Sequence, residues 1–164
     1  GDGDGDGDVG CSPDGATLVE LLNQYRGENG LAPIPLSPSM CTVAMTHTHD
    51  LADNNPVMGN CNLHSWSDQG SWTPCCYTPD HAQAQCMWIK PTELTPYPGN
   101  GYENAASGVN TPDAALGLWK GSPPHNDVML NQGIWDTPWQ AVGADVHGGY
   151  AVLWFGHESD PQMP

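Results

Sequence analysis

Two histidines and a glutamate in this chain sit inside local motifs that could do chemistry. They are His64 in Cys61-Asn62-Leu63-His64-Ser65-Trp66, Glu103 in Gly101-Tyr102-Glu103-Asn104, and His125 in Ser122-Pro123-Pro124-His125-Asn126. Brought together by a fold, two imidazoles and a carboxylate would form a His₂Glu set with an open position for water. Such a set would seat a divalent cation or run weak acid/base chemistry. Ser122 before Pro123 reads as a helix N-cap that accepts from the amide of His125. The positive helix end would then keep His125 neutral and able to ligate.

The remaining histidines read differently. His47 and His49 are two apart on an expected helix, so they face different ways. His47 is expected to be a packed, hydrogen-bonded core residue and His49 to be exposed. His81, in Asp80-His81, is read as a surface residue or a cleft-rim residue. His157-Glu158-Ser159-Asp160 lacks the second histidine of a zinc-protease motif and is read as a polar terminus. No G-x-S-x-G elbow is present.

The elements that would position these residues come from periodicity. A first helix is expected over about Ala16 to Asn29, with Leu18, Leu21, Leu22 and Tyr25 on one face. Ser37 and Pro38 open a second helix whose inner side carries Cys41, Ala44, Met45, Thr48, Leu51 and Ala52. Residues 56–100 are irregular, rich in proline and hold four cysteines; a loop that long is usually functional or cross-linked. Thr111 and Pro112 cap a third helix with Ala115, Leu118 and Trp119 inward. Pro123 opens a short fourth helix ending near Asn131. Ala141 to Val146 alternates, Gly148-Gly149 makes a two-residue turn, and Tyr150 to Phe155 is apolar on both faces. Such a strand should be central and covered on each side. The fold class expected is α+β: a three-layer α-β-α sandwich around a mainly antiparallel sheet, stabilised by disulfides.

Composition narrows the function classes. The chain has 164 residues, three Lys or Arg against nineteen Asp or Glu, and a formal net charge of −16. That surface repels nucleic acid and anionic headgroups and attracts cations. No apolar run approaches the ~20 residues of a transmembrane segment. The six cysteines, Cys11, Cys41, Cys61, Cys75, Cys76 and Cys86, form no C-x-x-C pair. Their even number points to disulfides and an oxidising compartment. Cys11 is expected to pair with Cys41, and the other four to staple the middle loop, with adjacent Cys75 and Cys76 bonded to different partners. The chain begins at Gly1 rather than Met, which reads as a mature or trimmed form. Trp119 and Trp154 are assigned to core packing. Trp66, Trp72 and Trp88 are candidates for the rim of a groove that takes a glycan or a lipid-like ligand.

The expected domain plan is an acidic Asp-Gly arm or linker over residues 1–15, a folded domain over 16–160 and a tail over 161–164. In the arm, Asp2, Asp4, Asp6 and Asp8 alternate with glycine, and Gly7 stands where a calcium loop turns sharply. Its twelfth position is Pro13 rather than a glutamate. A flexible acidic linker and a calcium site both remain readings of this arm.

These motifs, in this order, resemble the CAP superfamily: the cysteine-rich secretory, antigen 5 and pathogenesis-related-1 proteins, whose module is the SCP domain. Leu18 to Tyr25 followed by Arg26 is similar to the family's opening "LN.yR...G" segment. Ala44-Met45-Thr46-His47-Thr48-His49-Asp50-Leu51-Ala52 is similar to "A..HA.DMA". Gly101-Tyr102-Glu103-Asn104 resembles "GEN" with an inserted tyrosine, and Trp119 to Asn126 resembles the bacterial "W..SPGHR". Val142-Gly143 and Tyr150 to Gly156 resemble the closing strands. The resemblance spans roughly residues 16–157. It implies a cleft with two histidines and two acids that in some members binds zinc or another divalent metal. Carried over, these are His64, Glu103 and His125, with Ser122 standing where the second acid is expected.

The reading drawn from these features is a secreted, non-enzymatic CAP-domain protein, extracellular or at the cell surface. Its cleft (His64, Glu103, Ser122, His125) is expected to bind a divalent cation through His64, His125 and Glu103. The alternative is a structural subunit of an extracellular fibre or coat that self-associates through the terminal arm. A metal-assisted hydrolase with Glu103 as base is the third reading.

Overall fold

Two serines start the two long helices, and each does so by the same chemistry. The computed structural model describes residues 10–163. The expected calcium positions Asp2, Asp4, Asp6 and Asp8, and most of the arm, lie outside the described residues. The Ser12 hydroxyl accepts from the Gly15 amide at the start of helix α1, Pro13–Glu28. The Ser37 hydroxyl accepts from the Met40 amide at the start of helix α2, Pro38–Asn54. In both, proline occupies the first turn, where a missing N–H costs nothing. Helix α1 therefore begins earlier than the apolar periodicity suggested, because its first turn is set by the cap and not by core residues. Cys11 is bonded to Cys41 just before it, so folded structure begins ahead of residue 16.

The middle segment carries short helices α3, Ala84–Trp88, and α4, Lys90–Leu94. Strand β1, Tyr102–Ser107, follows, then helices α5, Pro112–Lys120, and α6, Pro123–Met129, and a 3₁₀ turn at Gly133–Trp135. Strands β2, Ala141–His147, and β3, Tyr150–Gly156, close the chain. The sheet runs β1-β3-β2 with both pairs antiparallel. His147 pairs with Tyr150, so Gly148 and Gly149 form the two-residue turn, both at positive φ. Only residues tolerant of that conformation make such a turn match the strand twist.

As expected, β3 is central and buried on both faces. Ala151, Leu153 and Phe155 point into one core with Leu18 and Leu22 of α1 and Trp119 of α5. Val152 and Trp154 point into a second core with Met40, Val43 and Ala44 of α2. Two helical layers thus cover one antiparallel sheet. Each leucine or phenylalanine so buried stabilises the fold by about 1.5–3 kcal/mol. Gly143 lets α2 approach β2 closely: a Cβ there would fall 2.2 Å from the Cys41 amide nitrogen.

Several side chains depart from the sequence pattern. Leu118 is 54% exposed, and Leu116 takes its inward place. Ala52 is exposed at the end of α2. Trp66 is no rim residue: it lies in the second core, beneath Trp72. Trp119 and Trp154 are core residues, as expected. His49 is exposed and stacks on His147, with ring centroids 3.7 Å apart. The C-terminal residues fold back onto the domain. Buried Asp160 accepts from the hydroxyls of Ser37 and Ser39 and from the Ser39 amide. What reads as a polar terminus is a second clamp on the start of α2.

The disulfides are Cys11–Cys41, Cys61–Cys76 and Cys75–Cys86. Adjacent Cys75 and Cys76 do bond in different directions, one toward His64's segment and one toward α3.

Candidate functional site

Glu103 sits on β1, opposite Trp154 of β3, with its side chain fully buried. Its Oε1 accepts from Nδ1 of His64 at 2.8 Å, and its Oε2 bonds to Nδ1 of His47. His47 comes from the middle of α2 and has no solvent exposure. Its Nε2 lies 2.9 Å from the Ser65 carbonyl oxygen. Both partners of His47 are acceptors, which calls for a proton on each ring nitrogen. His47 and Glu103 therefore form a buried ion pair. Trp66 supports it, stacked on the imidazole with centroids 4.3 Å apart and planes 5° apart.

Burial alone would push the Glu103 carboxyl up. The charge of His47 and the hydrogen bonds from His47 and His64 outweigh burial and hold it below the usual carboxylate range. Because the ionised carboxylate only accepts, His64 carries its proton on Nδ1. Its Nε2 then bears a lone pair. The backbone around His64 is set locally: its amide donates to the Asn62 side-chain oxygen, and Cys61–Cys76 ties the segment down.

His125 is held from the other direction. Ser122 occupies the N-cap position of α6 but makes no capping bond to the backbone. Its hydroxyl instead lies 2.7 Å from Nδ1 of His125. The side chain of Asn104, next to Glu103 on β1, donates to the His125 carbonyl oxygen at 3.1 Å. His125 is pushed below the ordinary histidine range, first by burial and then by the charge that nearby His64 carries when protonated. The direction agrees with the sequence reading, while the cap proposed to cause it is absent.

His64, Glu103 and His125 all line one cleft of about 480 Å³. His81 lines it too, at φ 63°, with its Nδ1 2.9 Å from the Tyr77 hydroxyl. Trp88 is a wall of the cleft, whereas Trp72 points its indole N–H at the Ser67 carbonyl. Among the described residues, no three His, Cys, Asp or Glu side chains are disposed to hold one ion. The carboxylate stands behind His64, bonded to it on one side and to His47 on the other. His47 is the packed, hydrogen-bonded core residue the sequence suggested; what the sequence did not reveal is that its partner is Glu103. The signal was its position in the helix motif, 56 residues from its partner.

A sequence profile of the cysteine-rich secretory protein family, CAP, matches residues 19–134. The chain belongs to the CAP family. Solved structures share this CAP fold at low identity. An extracellular SCP-domain protein of Bacillus anthracis is 18% identical with a TM-score of 0.61, over 88% of this chain and 40% of that one. A cysteine-rich secretory protein of Staphylococcus aureus is 18% identical with a TM-score of 0.57, over 87% and 38%. An outer surface protein of Borrelia burgdorferi is 15% identical with a TM-score of 0.59, over 88% and 92%. This CAP chain spans about two-fifths of the length of the first two. No curated protein matches it significantly.

Proposed function

We propose that this CAP domain is an extracellular binding module whose cleft holds a divalent cation on His64 and His125. The observation that carries the reading is the bond from Nδ1 of His64 to Glu103, which leaves Nε2 free. A metal-ligating histidine is commonly oriented in this way by a carboxylate on its other nitrogen. Ser122 would do the same for His125, since a hydroxyl can accept from Nδ1. Two protein nitrogens leave the remaining positions to water or to a ligand, so affinity should be modest. Bound there, the ion would supply a positive, Lewis-acidic centre.

Binding is favoured over catalysis by the position of Glu103. The residue expected to serve as a base is buried, with both oxygens engaged by imidazoles. An extracellular setting is supported by three disulfides. The named relatives are described as extracellular, secretory or outer-surface proteins. Among the described residues no helix is long and apolar enough to cross a membrane.

Zinc titration by calorimetry tests the reading, on the native protein, His64→Ala and His125→Ala. One equivalent in the native protein and loss in both variants is the expected result. Equal uptake in all three would overturn it.

A further inference from the structure

The cleft is walled largely by aromatic faces. Tyr77, Trp88, Tyr102 and Trp135 line it beside the histidines. Trp88 and Tyr102 stand 5.9 Å apart with planes at 54°. Tyr102 and Trp135 stand 5.4 Å apart with planes at 66°. Adjacent rings therefore meet at steep angles and make a corner, where parallel rings would make a flat platform. Each ring face carries negative electrostatic potential.

Lysine and arginine are missing from the same place: among the described residues, neither lines the cleft. All three basic side chains of the protein are committed elsewhere. Arg26 donates to the Ala32 and Met129 carbonyls and to Asn131. Lys90 is buried on the Thr73 and Cys86 carbonyls and Glu93. Lys120 lies over the Tyr25 ring, 4.4 Å from its centroid. An anionic head group entering the cleft would find no lysine or arginine to pair with, in a chain of net charge −16. A cation would find an aromatic lining and a favourable field. A sugar ring stacks best on a flat platform, whereas a corner suits a compact tetrahedral group.

We propose that the cleft takes a compact organic cation, a quaternary or alkylated ammonium group, seated among Trp88, Tyr102 and Trp135. This narrows the glycan or lipid-like expectation to one charge class of ligand. It rests on the cleft being the binding site, and it does not require the metal.

Three probes of one shape test it by calorimetry on metal-free protein: choline, its neutral tert-butyl alcohol analogue and the matching tert-butyl carboxylate. Choline should bind about 10-fold more tightly than the neutral analogue, and the carboxylate least. Trp88→Ala and Trp135→Ala should each weaken choline about 10-fold while zinc uptake is retained. Trp88→Phe, which keeps a ring in the site, should recover part of the loss. His125→Ala should lose zinc and keep choline, so failure of the metal reading is seen separately. Absent choline binding, equal binding of the neutral analogue, or preference for the carboxylate would overturn the proposal.

Discussion

Nδ1 of His64 donates to Oε1 of Glu103 across 2.8 Å, joining residues 39 apart in sequence. The same carboxylate pairs with buried His47, so one side chain links α2, the cross-linked loop and β1. Glu103→Gln would keep the shape and remove the charge. It would leave His47 buried without its counter-ion, which costs about 3–5 kcal/mol. It would also release His64, weakening zinc binding about 10–100-fold. Urea unfolding and zinc titration of the same variant read both effects.

The histidine pair is coupled through charge. His125 is depressed by burial first and by His64 second. Removing His64 takes away the second cause, so His125 should titrate closer to the ordinary histidine range in His64→Ala. Nuclear magnetic resonance of the imidazole carbon-bound protons, in chelator, follows this directly. The expected change is a rise, still below the usual value because burial persists.

The loop disulfide Cys61–Cys76 closes 15 residues and lies three positions before His64. A loop of that length is worth about 3 kcal/mol on the chain-entropy account. The double variant Cys61→Ser, Cys76→Ser should lose about that much stability and weaken zinc binding, because His64 loses its anchor. Thermal unfolding and zinc titration check the pair of outcomes.

Much of this arrangement was legible in the sequence, and the gaps have physical causes. Ser37-Pro38 announced a helix start, and Gly148-Gly149 a hairpin, because both are set by local chemistry. The apolar run Tyr150 to Phe155 announced a central strand, because burial on both faces needs no alternation. Strand β1 was not legible as a strand. Tyr-Glu-Asn-Ala-Ala-Ser has no β-branched residue, and its conformation is imposed by pairing with β3. Trp66 stood in an irregular stretch and read as rim. It is buried because His47, far away in sequence, offers a flat ring to stack on. Ser122 was recognisable as a helix start, yet its hydroxyl turns to the His125 ring in place of a backbone amide.

The C-terminal clamp makes stability depend on pH. Burial alone would raise the Asp160 carboxyl, but bonds from Ser37, the Gln162 amide and Ser39 outweigh it and hold it low. A carboxylate depressed on folding stabilises above its unfolded value, and that contribution is lost as pH falls through the folded value. Asp160→Asn should therefore cost about 1–3 kcal/mol at neutral pH. The difference from the native protein should shrink on acidification. Urea unfolding at a series of pH values would show the two stabilities converging.

The central claim is that Glu103 fixes the tautomer of His64 and leaves Nε2 open to a ligand. Two-bond proton–nitrogen correlation spectra of ¹⁵N-labelled, chelator-treated protein read this directly. The account predicts that His64 is protonated on Nδ1, with an unprotonated Nε2 whose resonance moves when zinc is added. A His64 protonated on Nε2, or an Nε2 resonance indifferent to zinc, would contradict it.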